Sequence, residues 1–238
     1  MDRPAQQSAA LRHFYVAVSS AENKLATLLD LLRAFEATAP LSLVVCCGSR
    51  DSLDAVVAAA VGVTHCRVWV LHADLSEREV EATVRDYRAA ATPAADQQQQ
   101  PPGEQQAGEG HAQQRAGAGE RRRAAAGGPP GRDEAPAAAP PPFVAVLACT
   151  DAALRVLPKE LLPLSPTLLV SYDLPTRKDV YLRRVSHVLG SRSSAGGRRI
   201  AVNFAVAGQL AELRQVEEFS EKPIEEMPVH VSDIFAQA

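Results

Sequence analysis

Polar residues able to handle a phosphate follow directly on several apolar runs of this sequence. Thr150-Asp151 closes the run 143–149, and Arg155 comes four residues after Asp151. A threonine at a strand end can offer its hydroxyl and backbone N–H to a phosphate oxygen, and a helix starting there would add its positive end. The same pair reads equally well as the cap of a short helix. Ser49 follows the run 41–47, and His72-Ala73-Asp74 ends the run that starts at Arg67. Asp173-Leu174-Pro175 closes a further run, with Tyr181-Leu182-Arg183-Arg184 on the next helical pattern. Arg184 is placed either to face an anionic ligand or to pair with Asp173 or Asp179. Arg155 is the best candidate for a nucleic-acid contact. His187 has no carboxylate or nucleophile at a telling spacing, and His65, His72 and His230 read the same way, as structural or solvated.

These residues need elements to position them. Apolar runs predict strands over 13–18, 41–46, 67–72, 143–149, 167–172 and 200–206. Leu25, Leu28, Leu29 and Leu32 share one face of a helix predicted over 21–35. Further helices are predicted over 51–61, 76–88, 177–188 and 210–219. Ser76 with Glu79 three residues on forms a capping-box pattern. Continuous apolar strands alternating with amphipathic helices indicate an α/β domain: a mostly parallel sheet with helices on both faces. Ligands of such sheets bind beyond the carboxyl ends of the strands, where the polar residues above cluster.

The chain has 238 residues, 46% of them hydrophobic, with a formal net charge of -3. That length and composition suit one domain with a core. The charge does not suit a general nucleic-acid binder, so an RNA site would be a local patch. Cys46, Cys47, Cys66 and Cys149 sit in apolar runs without metal-ligand spacing and read as reduced, buried thiols. No apolar run reaches transmembrane length, and the start Met1-Asp2-Arg3-Pro4 lacks a secretory layout. These features predict a cytoplasmic location, or a nuclear one. From Arg88 to Pro142 there is no Val, Ile, Leu, Met, Phe, Tyr or Trp. Such a segment buries too little apolar surface to offset the ordering of its backbone, at about 1–2 kcal/mol per residue. The expected organisation is a tail over 1–12, the first part of one domain over 13–87, a disordered Ala/Gly/Pro/Gln-rich insertion over 88–142, and the second part over 143–238.

The motifs, taken in order, carry a family resemblance. Phe14-Tyr15-Val16-Ala17-Val18 with Lys24-Leu25, Leu43-Val44-Val45-Cys46 with Ser49, and Leu71-His72-Ala73-Asp74-Leu75-Ser76 are its first pieces. Cys149-Thr150-Asp151 through Arg155, Asp173-Leu174-Pro175, Tyr181 to Arg184 and Ala201-Val202-Asn203-Phe204 continue it. Ile224-Glu225-Glu226-Met227-Pro228 through Asp233-Ile234 completes it. In this order and spacing the chain resembles the C-terminal RecA-like domain of a DEAD-box ATP-dependent RNA helicase of the translation initiation factor four-A subfamily. The resemblance implies a single RecA-like domain. It places Ser49, Thr150, Asp151 and Arg155 on the RNA side and makes Arg184 a remnant of motif VI. In the family, two such domains close over ATP and magnesium and clamp single-stranded RNA. The second domain supplies two arginine fingers, worth about 10³–10⁵ in rate in related enzymes.

The sequence also departs from that pattern. No G-x-x-x-x-G-K-[ST] and no Asp-Glu-Ala-Asp occur in it, so the expectation is a chain lacking the first domain, with no cofactor of its own. The motif V positions for a glycine and a ribose-binding aspartate hold Val156 and Pro158. At the family's Gln-x-x-Arg site stand Glu77 and Val80. Counting forward from Arg184 puts the finger positions at His187 and Gly190. Counting back from Asn203-Phe204 puts them at Ser191 and Ser194. Arg192 lies one residue off the second register and would substitute only through a loop shift. The expected function is therefore a degenerate helicase domain, inactive alone, that binds RNA or a protein such as a scaffold of the initiation complex. The alternatives are half of an ATP-dependent helicase needing a first domain in trans, and a decayed or partial gene product.

Overall fold

A computed structural model of the chain describes residues 11–91, 141–190 and 199–236. Seven strands form one sheet in which every pairing is parallel. They are β1 (Arg12–Val18), β2 (Leu41–Cys47), β3 (Cys66–Leu71), β4 (Val144–Thr150), β5 (Leu168–Ser171), β6 (Ile200–Val206) and the two-residue β7 (Glu225–Glu226). Their spatial order is β3-β4-β2-β5-β6-β1-β7. Every residue of β2 and β4 is buried, as expected for central strands covered on both faces. Cys46 and Cys149 are register partners on these two strands, their Sγ atoms 3.7 Å apart. Both are free thiols, and the Cys149 thiol is pushed up by its bond to Cys46 and by burial.

Among the described residues six α-helices cover the sheet: α1 (Lys24–Ala34), α2 (Arg50–Ala60), α3 (Glu77–Ala91), α4 (Asp151–Val156), α5 (Lys178–Arg184) and α6 (Leu210–Ser220). Leu28 and Leu32 of α1 and Leu53 and Val56 of α2 meet Leu43, Val45 and Val146 on one face. Val80, Val84 and Tyr87 of α3 meet Val44, Leu147 and Leu154 on the other. Leu213 and Val216 of α6 pack with Leu174, Tyr181 and Ile224 in a third, smaller cluster. The expected capping box is present. The Ser76 N–H donates to Glu79 Oε2 at 2.8 Å, and the Glu79 N–H reaches back to Ser76 Oγ at 3.4 Å.

The tail after α6 is bound in. β7 pairs with β1, the Met227 N–H donates to the Tyr15 carbonyl at 2.9 Å, and Ile234 is buried in the first cluster. Arg12 donates to the carbonyls of Ile234 and Ala236 at 3.2 and 3.0 Å.

Two helices differ from expectation. α3 runs to Ala91, past the predicted end at Arg88, and Arg88 Nη2 donates to the carbonyls of Leu161 and Pro163 at 2.6 and 2.7 Å. The expected insertion thus starts within a packed helix, and its residues 92–140 lie outside the described ones. The helix predicted over 177–188 is two pieces. α5 stops at Arg184, and Val185–Leu189 forms a π-helical turn ended by Gly190 at φ 74°. None of the described helices is long and apolar enough to cross a membrane.

Candidate functional site

In an all-parallel sheet every strand ends on the same edge, so the turns after β2, β3, β4 and β5 lie together. Gly48-Ser49-Arg50, His72-Ala73-Asp74, Thr150 and Ala152 line a cleft of about 150 Å³ there. The Thr150 hydroxyl accepts from the Ala153 N–H at 3.1 Å, which makes it the N-cap of α4. Ser49 caps α2, accepting from the Ser52 N–H at 3.1 Å and donating to Ser52 Oγ at 3.0 Å. Arg50 is the one guanidinium among the lining residues. It bonds Asp54 at 2.9 Å and Asp74 at 3.2 Å, so two carboxylates oppose it. His72 Nδ1 lies 3.5 Å from Asp74 Oδ2.

Beneath the cleft is a buried charged network. Arg184, 1% exposed, donates from Nε and Nη2 to the two oxygens of Asp151 at 2.7 and 2.8 Å, a planar bidentate pair. Its Nη1 donates to the Asp173 carbonyl at 2.6 Å. Burial disfavours the guanidinium charge, but the Asp151 bonds outweigh it and leave the group firmly protonated. The Asp173 carboxylate accepts from Lys24 Nζ and from the Gly48 N–H at 2.8 Å. Burial pushes this carboxyl up; the Lys24 and Gly48 bonds outweigh that and hold it below its ordinary value. Lys24 Nζ also lies 4.3 Å from the centre of the Tyr172 ring. Gly48 sits close to the Asp173 side chain: a Cβ there would come within 3.3 Å of Asp173 Cβ and would push it by a few tenths of an ångström.

The structure therefore brings Ser49 and Thr150 to one cleft and places Asp151 and Arg184 below it, each holding the other. Arg184 pairs with neither Asp173's carboxylate nor Asp179, the partners its sequence position suggested. Arg155 is exposed on α4 and makes no ion pair or hydrogen bond among the described residues. His187 donates from Nδ1 to the Leu154 carbonyl at 2.9 Å, a structural contact. Ser191, Arg192 and Ser194 lie outside the described residues. Glu77, Val80, Val156 and Pro158, four positions that depart from the family pattern, line one cavity. Among the described residues no group of three or more His, Cys, Asp or Glu side chains could hold a metal ion.

Sequence reasoning quoted Lys24 only as part of the family resemblance and gave it no role at the functional edge. A signal existed: a lysine in the first turn of a helix faces the positive end of the dipole, an unfavourable place unless a carboxylate compensates.

No protein-family profile matches the chain. Over 224 residues, 94% of the chain, it is 21% identical to the ATP-dependent RNA helicase eIF4A of Aspergillus clavatus. The chain spans about 40% of the length of that relative. Among solved structures, the C-terminal domain of the DEAD-box protein Dbp5 superposes with a TM-score of 0.57 at 16% identity, covering 92% of this chain and 91% of that one. The E. coli DEAD-box protein SrmB bound to RraA gives 0.54 at 17% identity, covering 92% of each chain. S. cerevisiae Dbp5 bound to RNA and ADP BeF3 gives 0.54 at 15%, covering 94% of this chain and 43% of that one. With its parallel sheet and a similarity that runs along nearly its whole length, the chain has the RecA-like fold seen in the C-terminal domains of DEAD-box proteins.

Proposed function

We propose that this domain is a degenerate helicase module that binds RNA or a protein without turning over ATP by itself. One observation carries the reading: the cation that lines the cleft and the two beneath it already have carboxylate partners. Arg184 is locked to Asp151, Lys24 to Asp173, and Arg50 to Asp54 and Asp74. Phosphoryl transfer needs positive charge free to meet the developing charge on the phosphate. His187 is bonded to a carbonyl and Gly190 has no side chain, so the described residues at the first finger register do not fit a terminal phosphate.

The relatives support binding as the retained property. One is named an ATP-dependent RNA helicase, one is seen with RNA and one with a protein, RraA. RNA would meet the hydroxyl-lined cleft of Ser49 and Thr150, with Arg155 beside it. Such contact is weak, independent of sequence, and lost as salt rises. A protein partner would be a scaffold of the initiation complex, in the cytoplasm or nucleus. The test is RNA-stimulated phosphate release by the purified chain, with calorimetric titration of a non-hydrolysable ATP analogue. No release above background is expected. Turnover that disappears in Arg155→Ala or Arg192→Ala overturns the proposal. It would instead support the second reading, an ATPase half completed by a first helicase domain in trans.

A further inference from the structure

Beside the polar cleft, at the outer edge of the sheet, lies a cavity of about 300 Å³, at the lower end of the range for pockets that seat a ligand group. Leu71 and Val80 form its floor with Ala153 and Leu157, all buried. Leu75 and Pro158 add apolar wall, and Val156 lines it while remaining 59% exposed. A lone exposed valine is ordinary; one continuous with an apolar cavity extends a binding surface. Glu77, at the start of α3, is the only carboxylate among the lining residues, and no Lys or Arg lines the cavity. Glu77 is exposed and has no hydrogen bond or ion pair among the described residues. Its neighbours Asp74 and Glu79 do have partners, Arg50 and Ser76.

This charge pattern selects the class of occupant. A phosphodiester entering here would meet the Glu77 carboxylate and no Lys or Arg, with the one imidazole of the lining, His72, turned to Asp74 at 3.5 Å; this is the reverse of what nucleic-acid binding uses. A protein segment offering an apolar side chain with a cation beside it fits both features. We propose that this cavity seats a large aliphatic or aromatic side chain of a partner protein, and that a Lys or Arg next to it in the partner pairs with Glu77. An anchor in a desolvated pocket with a charge at its rim is the usual energetic centre of a protein interface. The proposal rests on reading the domain as a binding module. ATP turnover would sink that reading and leave this pocket standing.

The test uses the full chain and a displayed library of random twelve-residue peptides. The recovered peptides are expected to carry Leu, Ile, Phe or Trp within two positions of Lys or Arg. A synthetic peptide of that consensus should bind with its Kd raised about tenfold by Glu77→Lys, and recovered when its cation is changed to Glu. Val156→Asp should raise Kd at least tenfold. Both substituted side chains are exposed, so folding is preserved and is checked by thermal melting. Failure to select any peptide, a consensus without a cation, or equal binding by both variants overturns the proposal. So does a decauridylate whose binding falls on the uncharged change Val156→Ser, which would make the cavity an RNA surface.

Discussion

Two neighbouring parts of the carboxyl edge treat charge in opposite ways. Under the turns after β2, β4 and β5, every ionised group has a partner: Arg184 with Asp151, and Lys24 with Asp173, which also takes the Gly48 N–H. At the far end of α4, around Val156 and Pro158, the surface is apolar and Glu77 has no partner among the described residues. The first part is built like a structural joint and the second like an unfilled contact. The same edge of one sheet can thus hold charges that are spent on the fold and, next to them, a surface left open.

Substitutions can break or sharpen that contrast. Arg184→Leu strands Asp151 beside a buried apolar side chain and removes a donor from the Asp173 carbonyl; breaking a buried pair from one side costs about 3–5 kcal/mol. Urea denaturation should read a loss of that order, and a midpoint equal to the parent's would mean the pair is not structural. Lys24→Met removes one charged bond to Asp173 and should cost about 2 kcal/mol at neutral pH. Asp173 has a depressed pKa when folded, so the contribution is complete above the ordinary carboxyl value of 3.8 and fades as pH falls through the folded value. The gap between parent and variant should therefore narrow in melts taken below that pH; a gap that widens in acid would reverse the assignment. Thr150→Val removes the cap of α4 at little change in shape and should cost about 1 kcal/mol, read from the same denaturation curves. Val156→Asp should leave stability within about 0.5 kcal/mol while weakening peptide binding. A large loss of stability in that variant would erase the distinction between the two parts.

Much of the framework could be read from residue order, and the reasons are local. Leu43 to Cys46 and Val144 to Cys149 are unbroken apolar runs, as expected of strands covered on both faces. Ser76 and Glu79 announce the start of α3 through their spacing. The bland reading of Thr150, as a cap, was available for the same reason. What could not be read depends on distant parts of the chain. Arg184 and Asp151 are 33 residues apart, and their pairing follows from the packing of α5 against α4. The π-helical turn over Val185–Leu189 was hidden because one extra residue per turn leaves the apolar spacing almost helical. The pairing of Lys24 with Asp173 was hidden because the two are 149 residues apart and meet only across the sheet edge.

The ends of α3 carry a last consequence. The helix starts at the carboxyl edge and runs back, so Ala91 and residue 141 both lie at the amino edge, opposite the cleft and the apolar cavity. Arg88 clamps that rear corner to the carbonyls of Leu161 and Pro163. A fluorophore or affinity handle grafted there should report on the molecule while leaving its front unobstructed.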